Sequence, residues 1–547
     1  MIDLKASPFY LSDEQKAWVE KTRTGLSPEE KAGQLFCVMG GDYPPEMLRE
    51  MVAEGRVGGI LFRPVKSGAE IQADYTPLDA AAKVPLLKAA NLEEGGSGGM
   101  NDGTLFGWPM LTAATDDPET AEKFGRVCGT EGASAGINWS FSPVCDLDMN
   151  YRNPITNVRT FGSGTKRVKT MTKRYVKAIQ GCGVAACAKH FPGDGVDYRD
   201  QHLHPTVNSL KADAWYASYG SIYENLIAEG LLSIMVGHIA QPYVALDTDP
   251  GLSFPEAMMP ATLSRTLLTG LLREKYGFNG VITSDATIMG GYCMAMERRR
   301  AIPASVMAGC DMLVFNTDFT EDYGYILDAL KDGRLTEERL DEAVTRILAL
   351  KAKCCRKVCN PPVPAAKWHE EAADRAITLV KNRQPDKLPM TPGRYPDIRL
   401  ITLGKDDIPD GSVRQIAREI LEENGFNVEL YDPFADDLHG SAALPADRLT
   451  LYMANYEQAS NQTAVRINWC PKHALDIPRF INEETSVFVS LANPYHLQDV
   501  PRVRTYINAY TATRTTIRLT IEKLMGKSEF HGISPVDAYC GLPDTVL

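Results

Sequence analysis

The chain has 547 residues, 44% of them apolar and 23% charged, and carries a formal net charge of −12. That length exceeds a single ordinary core and predicts two or three domains. The acidic balance argues against a nucleic-acid partner, which wants clustered Lys and Arg, and no uncharged apolar run approaches the roughly 18 residues needed to cross a bilayer.

The N-terminus, MIDLKASPFYLSDEQK, has no apolar stretch of the kind that directs secretion, so a cytoplasmic setting is expected. In that setting the twelve scattered cysteines read as reduced, mostly buried thiols. Cys354, Cys355 and Cys359 lack a second ligand pair at zinc-finger spacing. Short β-rich apolar runs then follow one another: GQLFCVMG (33–40), GGILFRP (58–64), LLKAAN (86–91), INWSFSPVCD (137–146), VAACAKHF (184–191), SIMVGHIA (233–240), GVITSDA (280–286) and DMLVFNT (311–317). Amphipathic helical stretches lie between most of them, at 45–56, 165–181 and 261–277, and 336–353 closes the series.

Such alternation predicts parallel pairing, and eight units can close into a (β/α)₈ TIM-type barrel over residues 1–353. A doubly wound open sheet is the alternative. Asn91, Asp146, His190, His238 and Asp285 each stand at or just past the C-terminal end of a run. In a barrel those ends share one rim, where active sites are built, and this convergence favours the barrel.

The proline-rich stretch CCRKVCNPPVPAAKW predicts a linker over 354–369. Beyond it, residues 370–547 predict a three-layer α/β/α sandwich. Its elements are a helix over 370–382, a strand over 397–405, a helix over 413–425, strands near 426–432, 448–456, 484–492 and 505–510, and a helix over 515–526. No P-loop or dinucleotide fingerprint appears, so no cofactor is expected.

Titratable groups concentrate in CAKHFPGDGVDYRDQHLH (187–204), which holds three of the four histidines that precede residue 360. Pro192, Gly193 and Gly195 impose a sharp turn, after which the chain leaves as a loop over the rim. Asp200 and His202 are two apart, so in an extended loop they point the same way. The carboxylate can then hold one ring nitrogen and leave the other for proton transfer. A metal site built on Asp200, His202 and His204, or an ordinary solvated loop, are the competing readings. Asp285, at the end of the seventh run, is a carboxylate nucleophile or, more plainly, a helix N-cap. Ser284 lacks the G-x-S-x-G elbow of a serine nucleophile. Asp285 with a proton donor from the fifth strand is the layout of a retaining glycosidase.

These residues resemble a known family. KHFPGDG followed four residues later by DQH is similar to the KHFPGHG-x4-D-[ST]-H signature of bacterial β-N-acetylglucosaminidases in glycoside hydrolase family 3. SFSPVCD, NVRTFG, IMVGHI, PATLSRTLLTGLLREKYGFNGVITSDATIMGG and EEAADRAITLVKN resemble further segments of that family. The resemblance implies that Asp285 is the nucleophile and that His202, held by Asp200, is the acid/base. It implies that Lys189, His190 and Arg159 bind sugar hydroxyls, with Asn91 where the family has an Asp. A carbohydrate substrate carrying a terminal β-linked N-acetylglucosamine follows, and no metal. A phosphorylase using the same residues, another β-glycosidase such as a β-glucosidase, and a sugar-binding protein with a disabled site are the alternatives. Asp194 stands where the signature has its second His, and Ala286 where a second acid is common.

Overall fold

The computed structural model describes residues 2–356, 358–435 and 447–547, so Lys357 of the predicted linker lies outside the described residues. The chain gathers into two compact units. One comprises Met1–Phe106, Ala121–Asn153 and Thr165–Ala365; the other comprises Gly107–Thr120, Pro154–Gly164 and Ala366–Leu547.

The first unit is a closed barrel of eight strands: β1 (Phe36–Met39), β2 (Gly59–Leu61), β3 (Leu87–Ala90), β4 (Trp139–Ser140), β5 (Ala185–Phe191), β6 (Ser233–Val236), β7 (Val281–Ala286) and β8 (Met312–Val314). Each falls inside one of the eight apolar runs. Neighbours in sequence pair in parallel, and β8 returns to β1 through Phe36 opposite Leu313. That closure rules out the open doubly wound sheet. Strands covered on both faces read as continuous apolar runs rather than alternating ones, and all seven residues of β5 are buried.

The helices follow from an apolar stripe at helical spacing. Thr165–Gly181 buries Val168, Met171, Thr172, Tyr175, Val176 and Ile179 on one face. The helix predicted over 261–277 is instead a short turn, Ala261–Leu263, and a wider-wound helix, Thr266–Lys275. Ser264 separates them and its hydroxyl accepts from Leu267 N at 3.3 Å.

At the end of the barrel opposite the rim, the Asp311 carboxylate is fully buried. It meets Arg273 Nη2 at 2.6 Å, Arg339 Nη2 at 2.9 Å and Arg346 Nη1 at 3.6 Å, and accepts from Ile282 N at 3.0 Å. Burial, against the pull of Asp311, brings Arg273 down to about 9. One carboxylate thus ties the start of β7 to the helices Thr266–Lys275 and Glu337–Cys354.

The second unit is built on a six-stranded mixed sheet: β9 (Thr378–Asn382), β10 (Asp397–Gly404), β11 (Asn427–Leu430), β12 (Arg448–Asn455), β13 (Thr485–Ser490) and β14 (Thr505–Asn508). The order is β9-β14-β13-β12-β10-β11, with only β9 antiparallel to its neighbour. The helix predicted over 370–382 spans Ala365–Ala376 and ends before β9. The β-branched, apolar run ITLV favours a strand there, and the helix begins within the range assigned to the linker. Helices Val413–Glu423 and Arg514–Leu524 pack together, and Lys523 Nζ reaches Asp374 Oδ1 at 2.7 Å from the helix Ala365–Ala376. On the other face Ile401, Leu403, Tyr452, Phe488 and Tyr506 pack on Ile467, Leu497, Val500 and Val503. Leu497 lies in the short turn His496–Gln498, and Ile467, Val500 and Val503 come from irregular chain.

Two segments inside the range 1–353 join this second unit. Ala114 O accepts from Ile533 N at 2.9 Å, Asn157 Nδ2 donates to Asn493 Oδ1 at 3.0 Å, and Ser163 N donates to Pro535 O at 3.2 Å.

Replacing Asp311 by Ala strands three guanidinium groups around one site. The expected cost is about 3–5 kcal/mol of unfolding free energy, read from urea denaturation. A cost under about 1 kcal/mol, the scale of an exposed pair, would show that this cluster does not hold the barrel's lower end.

Candidate active site

The rim gathers its polar residues around the end of β4. Asp146 is fully buried. Its Oδ2 meets His190 Nδ1 at 2.7 Å, and its Oδ1 accepts from His190 N at 3.1 Å and from Asp194 N at 2.8 Å. A carboxylate on one ring nitrogen fixes the tautomer and turns the other nitrogen outward. His190 Nε2 thereby stands 4.0 Å from Asp285 Oδ2. The preceding residue, Lys189, is 3% exposed, with its ammonium on Asn91 Oδ1 at 3.2 Å and paired with Glu93.

Asp285 is the penultimate residue of β7, with 8% of its surface exposed. Its Oδ1 accepts from Ala286 N at 2.7 Å. Burial would raise its pKa, but the imidazoles around it, His190 first and then His238 and His202, together with the Ala286 N–H, hold it below the usual carboxylate range. The group is therefore ionised at neutral pH, as a nucleophile needs.

His238 secures the residue that follows. Its ring is fully buried, and burial lowers its pKa to about 4, so the imidazole is neutral. Nε2 lies 3.0 Å from Ala286 O and Nδ1 lies 2.8 Å from Thr262 Oγ1. A neutral ring carries one N–H. The carbonyl can only accept, so Nε2 donates, and Nδ1 faces the Thr262 hydroxyl, whose oxygen also lies 3.0 Å from Gly237 O. Asp285 is thus bonded through the amide of a residue whose carbonyl is itself held.

The turn Pro192–Gly195 forms as its glycines require. Gly193 has φ 121°, and a Cβ there would lie 2.1 Å from the Tyr219 ring. The loop beyond is not extended, contrary to expectation: Asp200 O accepts from Leu203 N and His204 N, both at 3.0 Å. The Asp200–His202 pair forms anyway, because Asp200 Oδ1 caps the turn by accepting from His202 N at 2.8 Å and meets His202 Nδ1 at 2.6 Å. Asp200 is buried, whereas the His202 side chain is 24% exposed, with Nε2 turned away from the carboxylate. Gly290 N donates to His202 O at 2.8 Å and Gly291 N to Gln201 O at 3.0 Å. These bonds dock the pair on the chain that leaves Asp285.

His204 is exposed, and among the described residues no group of three or more His, Cys, Asp or Glu is arranged to hold a metal ion. Arg159 belongs to the second unit, where its Nη1 donates to Ile155 O at 3.1 Å. Asp146 and His238 are legible in sequence only as strand-end positions, and the signal for Glu93 is the acidic pair after the third run. Gln201 and Thr262 carried no signal, since each acts through a partner distant in the chain. Asp194 is buried at 3% exposure, and burial and then Asp146 push it up to about 6.

The Glycosyl hydrolase family 3 N terminal domain matches residues 27–350. A β-N-acetylglucosaminidase/β-glucosidase of Cellulomonas fimi is 42% identical over the full length of both chains. A solved structure of a β-glucoside phosphorylase, BglX, bound to 2FGlc, is 42% identical and covers 98% of this chain and 99% of its own, with a TM-score of 0.92. A β-N-acetylglucosaminidase from Paenibacillus sp. str. FPU-7 shares the fold at 22% identity and a TM-score of 0.78, covering 95% of this chain and all of its own.

The His238 ring should stay neutral, with its proton on Nε2, from pH 7 down to about 5, as read from long-range ¹H–¹⁵N spectra of histidine-labelled protein. Titration near the ordinary value of about 6.5 would overturn the hydrogen-bond assignment around Ala286.

Proposed function

Because the chain belongs to glycosyl hydrolase family 3 and is a glycoside hydrolase by that membership, we propose that it is a retaining enzyme removing a terminal β-linked N-acetylglucosamine or glucose. Asp285 is the nucleophile in this reading, His202 the acid/base, and Asp200 the group that holds its ring. The single observation behind it is the Asp200–His202 pair docked through Gly290 and Gly291 on the chain leaving Asp285.

In this reading the steps are those of a retaining glycosidase. Asp285 attacks the anomeric carbon while the bond to the leaving oxygen breaks, and His202 Nε2–H gives that oxygen its proton. A glycosyl ester on Asp285 results. Nε2 then takes a proton from water, the hydroxyl attacks the anomeric carbon, and the ester bond breaks with retained configuration. Lys189, His190 and Asn91 are the sugar ligands of the barrel unit in this reading, and Glu93 adds an acceptor beside Lys189. Charged groups fixed at strand ends strengthen their bonds to a polyol as charge develops.

A second reading has phosphate in place of water. An imidazole acid/base repels an incoming phosphate less than a carboxylate would, and the BglX relative is described as a β-glucoside phosphorylase. The intermediate would then leave as a glycosyl 1-phosphate.

Replacing His202 by Ala should cost about 10²–10⁴-fold on alkyl glycosides, which need the proton, and far less on dinitrophenyl glycosides. Equal losses would remove His202 from the acid role. Asp285→Ala should abolish turnover of both. Assays of p-nitrophenyl β-glucoside, β-xyloside and β-N-acetylglucosaminide, each with and without phosphate, select the sugar and the acceptor. Glycosyl 1-phosphate as the main product establishes phosphorolysis; free sugar at an unchanged rate excludes it.

A further inference from the structure

We infer that Asp194 is a positioning residue for the acid/base, setting the His202 loop through the side chain of Gln201. The inference rests on the reading of His202 as proton donor.

Asp194 touches no reacting atom, yet its bonds reach three parts of the rim. Its Oδ1 accepts from Asn153 Nδ2 at 2.9 Å and from Gly195 N at 2.7 Å, and its Oδ2 accepts from Gln201 Nε2 at 3.2 Å. Its own N–H donates to Asp146 Oδ1 at 2.8 Å, and its carbonyl accepts from Tyr219 OH at 2.5 Å. Asp194 therefore shares Asp146 with His190, the imidazole beside the nucleophile.

Gln201 carries the restraint onward. Its Oε1 accepts from His238 N at 2.8 Å, and its carbonyl accepts from Gly291 N at 3.0 Å. One buried amide side chain thus spans the turn after β5 and the residues after β6, while its main chain is held past β7. His202 is the next residue along.

The chemistry at position 194 matters here. A carboxylate has lone pairs for three N–H donors at once; a neutral imidazole has one acceptor nitrogen. A His at this position, as in the signature that the sequence resembles, could not receive Asn153, Gly195 and Gln201 together. Asp194 places a second buried carboxylate next to Asp146, an arrangement that costs stability unless the N–H donors are present. The His202 side chain is partly exposed and has Asp200 as its ring partner, so the position of its Nε2 depends on how firmly the loop is seated. Misplacement by about 1 Å of a group in a transition state can cost as much as 10²-fold.

The test measures kcat/KM of the full-length protein on alkyl and dinitrophenyl β-glycosides of the preferred sugar. The variants are Asp194→Asn, Gln201→Ala and their combination, with thermal midpoints recorded alongside. Each single variant should lose about tenfold or more on the alkyl substrate and less than about threefold on the dinitrophenyl one. The double variant should be no worse than the worse single, because both act through one bridge. Equal losses on the two substrates, or additive losses in the double variant, overturn the inference. Should Asp194→Asn fail to fold, Gln201→Ala decides by the same leaving-group comparison. A flat leaving-group dependence in His202→Ala would bring down the acid/base reading itself; a steep one there, with flat losses at 194 and 201, would bring down only the bridge.

Discussion

The buried carboxylate of Asp146 is the contact on which the rim depends. One oxygen holds the His190 ring, and the other receives the main-chain N–H groups of His190 and Asp194. It stops the chain at the end of β5 and aims an imidazole at Asp285, while the bonds to the Asp194 amide start the turn that carries the loop over the barrel. A side chain without an acceptor there would leave a buried ring nitrogen and two amides short of acceptors, at a cost of about 1–3 kcal/mol for each. The polar rim is therefore satisfied as a connected network, and a network of that kind fixes geometry only while every member is paired.

Electrostatics around Asp285 follow from the same placement. A carboxylate at a buried strand end would ordinarily drift toward its neutral form. Here imidazoles from three different segments and one amide reverse the tendency. His238 is itself uncharged at neutral pH because its burial is complete, and there its part is to hold the Ala286 carbonyl that follows Asp285. The Asp285 carboxylate is kept charged, and hydrogen bonds to Asp146, Thr262 and Asp200 orient the rings of His190, His238 and His202 around it.

The two ends of the barrel divide the work. At the lower end, Asp311 draws three arginines into one buried knot that serves packing. At the rim, the charged groups are buried as well, apart from the partly exposed His202, and are aimed at one another across short gaps. A parallel barrel permits this separation because every strand starts at one end and finishes at the other.

Much of this was legible in the chain. Eight apolar runs between amphipathic stretches determined the barrel, because a strand with both faces covered has to be apolar throughout. Asp285, His190, Lys189 and the Asp200–His202 spacing were readable because each lies at a strand end or beside its partner in sequence. The edge strand Thr378–Asn382 was hidden behind the periodicity of the helix before it. The segments Gly107–Thr120 and Pro154–Gly164 gave no sign of joining the second unit, since their partners lie hundreds of residues away. Tertiary structure alone decided that Gln201 would bridge Asp194 to His238 and that Thr262 would orient the His238 ring. A hydrogen bond between residues remote in sequence leaves no periodicity and no motif behind; it exists only once the strands have closed and brought the donor to the acceptor.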